Sequence, residues 1–283
     1  LPAWKDKDGH YENNGRCNLG VVTLNVPRIA LESKGDMEAF WKIFHQRMAI
    51  MHDALVYRIE RIAQATPENA PILYQNGAFK HRLKETDDIM TLFKGQRATL
   101  SIGYIGLYEA ATVFYGPHWE RLSKAKAFTL DILKSMKAYQ LKWTEQYDIW
   151  FSIYSTPSES LTDRFCRLDR EQFGEIADIT DKGYYQNSFH YDVRKDVTPF
   201  EKIDFEKDYP EYASGGYIHY CEYPKLNHNL KALEAVWDYA YDKVSYLGTN
   251  IPIDHCRKCG FDGDFKTTAK GYQCPQCGND DPK

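Results

Sequence analysis

Four cysteines near the end of the chain carry the clearest chemistry. Cys256-x-x-Cys259 and Cys274-x-x-Cys277 are separated by fourteen residues, and each pair is followed by a glycine, Gly260 or Gly278. Two such turns place four thiolates at the corners of a tetrahedron, a geometry Zn²⁺ accepts at about 2.3 Å per sulfur. Four protein ligands close the coordination shell, so the expected metal is structural. A redox Cys-x-x-Cys and an iron–sulfur site are the competing readings. Binding energy on the order of 10 kcal/mol holds a segment too small to fold alone. Between and after the pairs stand Asp262, Asp264, Lys266, Lys270, Asp280 and Asp281, which make no basic face for nucleic acid. His255 adjoins the first pair, but the cysteines already fill the set.

A second stretch, "IYSTPSESLTDRF" (153–165), invites an anion. Thr156 suits a helix cap, Pro157 the first helical position, and Glu159 completes a T-x-x-E box. Free N–H groups at such a tip, with the helix dipole, favour phosphate. Ser155, Ser158 and Ser160 add hydroxyls. The bland alternative is a capped helix with no ligand. Glu159 puts a negative charge near the proposed anion and has to turn towards the cap.

These motifs need a scaffold. The chain has 283 residues, 43% hydrophobic and 14% aromatic, enough for one large domain or two ordinary ones. Its formal net charge is −4, which speaks against nucleic acid as a direct partner. No run reaches the length of a bilayer span, and no secretory leader is legible after Leu1. Both ends read as cuts in a longer protein. Seven cysteines, three of them scattered (Cys17, Cys166, Cys221), make no disulfide framework, so a reducing, cytoplasmic setting is expected.

Residues 17–26 read as a strand ended by Pro27. Met37 to Ala65 reads as a helix, with apolar residues at three- and four-residue steps. Residues 97–110 suit a strand leading into glycine turns, 118–143 a second long helix, and 148–154 a short buried strand. Further strands are expected at 184–191 and 216–223. A third helix is expected at 229–246, stopped by Gly248. Alternating helices and strands give an α/β body, with a boundary near Gly248. The scattered cysteines, and His45, His52, His190 and His219, read as structural.

Taken together, these pieces resemble the anaerobic, class III ribonucleotide reductases, which are glycyl-radical enzymes. The resemblance runs through the chain: "LPAW" at the start, "NGRCNLGVVTLNVPRIAL" (14–31), "YSTPSES" (154–160), "YYQNSFH" (184–190) and "YLGTNIPIDHCRKCG" (246–260). It implies the second half of a ten-stranded α/β barrel over 1–247, followed by a zinc-ribbon-like segment with four cysteine ligands over 248–283. It also implies that Asn18 lies near the ribose hydroxyls, where an amide hydrogen-bonds but is no strong base. An Asn there resembles the formate-dependent branch. Ser155, Thr156, Pro157, Ser158, Glu159 and Ser160 match the substrate-phosphate turn, and Cys256, Cys259, Cys274 and Cys277 the zinc ligands.

The implied chemistry is radical. A glycyl radical converts a finger-loop cysteine to a thiyl, the thiyl takes the ribose 3′ hydrogen, and the 2′ hydroxyl leaves as water. Formate is the expected reductant. The resemblance places the finger-loop cysteine before Leu1 and the radical glycine after Lys283, so this chain is expected to be one portion of the enzyme. The expected partners are a nucleoside triphosphate substrate, dNTP and ATP effectors bound mostly outside this chain, a radical-SAM activating enzyme, and a second copy in a homodimer. A zinc-ribbon interaction or nucleic-acid-binding protein is the competing reading, and a formate-lyase-like radical enzyme a third.

Overall fold

The computed structural model describes residues 5, 8–11, 14–155, 159–224, 226, 229–251, 253–268 and 271–280. Contacts divide the chain into two compact units, Leu1–Asp196 with Asp208–Tyr217, and Val197–Lys207 with Ile218–Lys283.

The first unit is built on a parallel sheet. Strand β1 (Cys17–Asn25) runs into helix α1 (Val26–Glu32), then α2 (Met37–Ala63) and a short α3 (Pro71–Tyr74). Strand β2 (Ala98–Ile105) leads into α4 (Leu107–Tyr115). The long α5 (Ser123–Tyr147) precedes β3 (Trp150–Tyr154), and α6 (Glu159–Phe173) follows. The strand order is β1-β2-β3, and both pairings are parallel. All eight residues of β2 are buried, as expected of a central parallel strand covered on both faces.

Helix α2 shows how sequence fixes an element. Asp36 caps it, accepting from the Glu38 and Ala39 amides at 2.8 and 3.2 Å. Phe40, Phe44, Met48, Met51 and Leu55 form its buried stripe, and the helix packs on β1. Helix α5 covers β3 through Trp143, whose ring meets Phe151 edge-on at 5.6 Å. The two helices also share polar contacts. His45 Nδ1 lies 2.9 Å from the Tyr139 hydroxyl, and His52 Nε2 lies 2.9 Å from that of Tyr147.

The second unit contains α7 (Pro199–Glu206), β4 (His219–Glu222), α8 (Leu230–Ala240) and β5 (Leu247–Asn250). Strands β4 and β5 pair in parallel. Ile203, Cys221, Tyr223, Val236, Ala240 and Val244 form the core between them. Helix α7 opens on a reciprocal cap between Thr198 and Glu201. Under β4 a buried charge set joins Glu206 to Lys202 and to His219, both at 2.8 Å. Two small antiparallel pairs follow, β6 (Asp254–His255) with β7 (Asp262–Gly263), and β8 (Lys266–Thr268) with β9 (Gly271–Gln273).

Several elements differ from the sequence reading. The strand stops at Asn25, just before Pro27 as read, but a helix follows directly: Pro27 sits in the first turn of α1, where its missing N–H costs nothing. Residues 106–110 are not turns but lead into and begin α4. Residues 184–191 form no strand. Asn187 makes one antiparallel bridge to Ile105, and Ser188 adopts φ 39°, which breaks extension. The last long helix ends at Ala240 rather than near Gly248, which lies inside β5. Division by contact accordingly falls away from residue 248, because β5 pairs with β4. No helix of the described residues is long and apolar enough to cross a membrane.

Candidate functional site

One face of the first unit's sheet is polar and small. Thr99, Ser101 and Gly103 alternate along β2, and Ser101 Oγ lies 3.2 Å from Ser152 Oγ on β3. Asn18 pairs in register with Thr99. At the start of β1, Arg16, Cys17 and Asn18 line a cavity of about 250 Å³ together with Thr99, Ser101 and Gly215. The register slips between Asn18 and Gly20, and the Asn18 carboxamide oxygen accepts the Gly20 amide at 3.0 Å. That bulge leaves the Asn18 side chain exposed while Leu19 is buried. Bulges commonly re-aim a side chain beside a functional cavity. The motif around Asn18 points to this place in sequence. Sequence reasoning missed Thr99, Ser101 and Gly215; for the first two the period-two run of small polar residues in β2 is the available signal. Cys17 lines the same cavity, and burial pushes its thiol up, away from ready ionisation.

The Ser155–Ser160 stretch joins β3 to α6. Thr156, Pro157, Ser158 and the side chain of Glu159 lie outside what the structure describes. Ser155 is fully buried. Its hydroxyl lies 2.7 Å from that of Tyr104, its amide donates to the Gly216 carbonyl at 3.0 Å, and its carbonyl accepts from Ser188 Oγ at 3.2 Å. The Ser155 hydroxyl is thus bonded within the fold. Ser160 is exposed in the first turn of α6. Cys166 lies buried further along that helix. Burial beside Glu109 and Asp169 holds its thiol at about 11, and its Sγ lies 3.6 Å from the Thr180 carbonyl.

The four terminal cysteines do converge. Their sulfurs all lie within 4.8 Å of one another, with Cys256–Cys277 and Cys259–Cys274 each at 3.6 Å. All are free thiols. Four sulfurs tetrahedrally placed at about 2.3 Å from one ion stand about 3.8 Å apart, so the donor set fits a four-sulfur metal centre.

The two turns are copies of each other. The Gly260 amide donates to the Cys256 carbonyl at 2.8 Å, and that of Gly278 to the Cys274 carbonyl at 3.0 Å. The Cys256 and Cys274 amides donate to the Phe261 and Asn279 carbonyls, both at 2.8 Å. Both glycines are left-handed, φ 75° and 71°, a conformation other residues adopt at a cost. Burial pushes the Cys256 thiol up, but the Cys259 and Lys258 amides and the neighbouring thiols outweigh it and bring it to about 6. Burial and the companion thiols raise Cys259 to about 12. His255 stands apart from the cluster, 2.7 Å from Asp262.

A family model matches nearly the whole chain. The family model described as "Anaerobic ribonucleoside-triphosphate reductase" covers residues 4–282. The chain belongs to the anaerobic ribonucleoside-triphosphate reductase family. It is 50% identical, over 282 residues, to the anaerobic ribonucleoside-triphosphate reductases of Salmonella typhimurium and Escherichia coli; the alignments cover 99% of this chain and 40% of each relative. The phage T4 member is 46% identical, with 100% of this chain and 46% of that one covered. The chain thus spans less than half the length of the curated reductases it matches.

Solved structures of anaerobic ribonucleotide reductases share the fold. The Thermotoga maritima enzyme with MES in its active site gives a TM-score of 0.69 at 24% identity, over 95% of this chain and 42% of that one. The same enzyme with dATP and CTP gives 0.65 at 22% identity, over 94% and 41%.

Proposed function

We propose that this chain is the C-terminal part of the catalytic subunit of an anaerobic ribonucleoside-triphosphate reductase. Such an enzyme is an oxidoreductase that makes deoxynucleoside triphosphates by glycyl and thiyl radical chemistry. The observation that carries this reading is the alignment of 99% of the chain, at half identity, with reductases of that name. The first unit holds three parallel strands, β1–β3, and the second a parallel pair, β4 and β5. In this reading residues 1–247 serve as the second half-barrel and 248–283 as a zinc-ribbon-like segment.

Each part of the chain then has a task. The Asn18 carboxamide, exposed at a polar cavity, offers one acceptor and two donors to ribose hydroxyls without acting as a base. The Ser155–Ser160 stretch receives the substrate triphosphate through backbone N–H groups and the hydroxyls of Thr156, Ser158 and Ser160 at the head of α6. Thr156, Pro157 and Glu159 carry the sequence of a helix cap, and Ser155 anchors the strand end through Tyr104. Cys256, Cys259, Cys274 and Cys277 hold structural Zn²⁺. A glycyl radical on a residue outside this chain supplies the hydrogen-abstracting chemistry, and formate the two electrons. Anchoring of the nearby backbone by the metal matters because small displacements between reacting groups are costly.

Effector nucleotides such as dATP or ATP, a radical-SAM activating enzyme and a second subunit complete the proposed assembly, in the cytoplasm. A zinc-ribbon protein binding nucleic acid is not favoured, because the acidic residues Asp262, Asp264 and Asp280 surround the thiols in sequence and the reductase match runs through the whole chain.

The test is anaerobic turnover of CTP by the full-length subunit with its activase and labelled formate. The expected result is one labelled CO₂ per dCTP, with strong loss of turnover in Asn18→Ala. dCTP formed without consumption of formate overturns the reductant, and no dCTP under any reductant overturns the activity. Binding of CTP that is unchanged by Ser158→Asp removes the phosphate assignment.

A further inference from the structure

The walls of the cavity at the start of β1 are held by bonds of their own. Ser101 Oγ lies 3.2 Å from Ser152 Oγ. The Asn18 carboxamide oxygen accepts the Gly20 amide at 3.0 Å. The Gly215 amide donates to the Ile153 carbonyl at 2.7 Å. A Cβ on Gly215 would stand 2.7 Å from Ser152 Oγ, so this backbone approaches the sheet as closely as only glycine allows.

Thr99 breaks the pattern. It lines the same cavity and is 4% exposed, yet its hydroxyl has no hydrogen-bond partner among the described residues. A buried hydroxyl left unbonded is costly, and nearly all buried polar groups find a partner. Local structure does not call for one here. The neighbours in β2, Ala98, Leu100 and Ile102, are apolar and buried, and valine fills a buried strand position as well without an orphan oxygen. A hydroxyl kept there at a cost points to a partner that arrives with a ligand.

Position says which partner. Asn18 and Thr99 are register partners on adjacent parallel strands, where neighbouring chains run about 4.8 Å apart. The carboxamide and the hydroxyl therefore stand side by side, spaced for two neighbouring hydroxyls of one sugar. Their capacities are complementary. With one lone pair taken by Gly20, Asn18 offers chiefly its two N–H donors. A sugar hydroxyl that accepts from Asn18 has its own proton to donate, and Thr99 Oγ1 has the lone pairs to receive it.

We propose that Thr99 is a specificity-determining residue whose hydroxyl bonds a ribose hydroxyl of the nucleotide substrate beside Asn18. The inference rests on reading the Asn18 cavity as the ribose site.

The test uses the full-length subunit. Melting of the unliganded protein is measured, with equilibrium binding of CTP and of its 2′-deoxy and 3′-deoxy analogues, dATP being present throughout. Thr99→Val keeps the shape and removes the hydroxyl. We expect an unchanged or raised melting temperature, because a buried orphan has gone, and about tenfold weaker CTP, the worth of one hydrogen bond. The loss disappears for the deoxy analogue that lacks the partner hydroxyl, which thereby names it. Thr99→Ser keeps the hydroxyl and binds CTP as the parent protein does. Thr99→Ala carries the same comparison should Thr99→Val not fold. CTP binding unchanged by Thr99→Val, as for a hydroxyl that bonds only water, overturns the proposal. So does an equal loss for CTP and both analogues, which marks altered shape rather than a lost bond. Asn18→Ala separates the two readings. If it weakens CTP and Thr99→Val does not, the role of Thr99 fails and the ribose site stands. If neither weakens CTP, the ribose reading of the cavity itself fails.

Discussion

Removing metal from the four-cysteine centre should unfold residues 254–280 and leave the first unit intact. The reason lies in what that segment lacks. Among its described residues, only Cys256 and Cys274 are buried. Its sheets are pairs of two or three residues, and pairs so short are not stable alone. Phe261 and Phe265 are half-buried with ring centroids 6.3 Å apart, a contact worth about 1 kcal/mol. A structural zinc centre contributes on the order of 10–16 kcal/mol. About ten of those correspond to about seven decades in an opening equilibrium.

Hydrogen exchange reads this directly. The amides of Gly260, Gly278, Cys256 and Cys274, all bonded within the two turns, should be protected in the metallated full-length protein. They should exchange at the rate of an unstructured chain after chelation. Amides of β2, buried along its length, should not change. Elemental analysis should give one zinc per chain, and Cys274→Ser should lower zinc retention and protection together. Protection of the Gly260 and Gly278 amides that survives complete metal removal would refute the reasoning, because no other interaction described in this segment is large enough to supply it.

Other outcomes follow from buried charge and close packing. Lys182 is buried between Glu109 and Asp192; Lys182→Met leaves the buried Glu109 without its cation, while Asp192 keeps Arg194, and should cost about 3–5 kcal/mol in urea melts. Gly103→Ala should destabilise by about 1–3 kcal/mol, since a Cβ there would stand 2.6 Å from Thr23 Oγ1 inside the sheet. Burial alone would push the Asp192 carboxyl up, but Arg194, through side chain and backbone, and Lys182 outweigh it and hold it below its ordinary 3.8. Its stabilisation is therefore present above about pH 4 and lost as pH falls through the lower folded value, and Asp192→Asn should flatten the acid limb of a stability–pH curve. Thr198→Ala removes the α7 cap and should cost about 1 kcal/mol by thermal melting.

Elements and motifs that depend on neighbours along the chain are legible in the amino-acid order alone. The stripe of α2 follows from helical periodicity, β1 from its β-branched run, and the paired cysteine turns from fixed spacing with glycine behind each pair. Local chemistry dictates all of these, so they were legible without coordinates. Four of the scattered histidines and cysteines are engaged or buried within the fold. His45 and His52 meet tyrosines across two helices, and Cys166 and Cys221 are buried.

Tertiary structure alone decided what depends on partners far away in sequence. The apolar and aromatic residues of 184–191 suggest a strand, yet they form an irregular segment. Gln186 is claimed by Glu109 and Asp192, and Ser188 by Ser155, and those partners lie up to 77 residues away. Asp169 reads in sequence as one more charge on an amphipathic helix. Only the convergence of Asn25, Arg28 and Tyr185 shows it to be buried, because a carboxylate leaves water only where several donors replace it. The cavity at Asn18 likewise needed the register of β1 against β2 before Thr99 and Ser101 joined it. Periodicity records which face of an element is apolar; which polar side chains meet is set by packing between elements, and no single stretch of sequence carries that information.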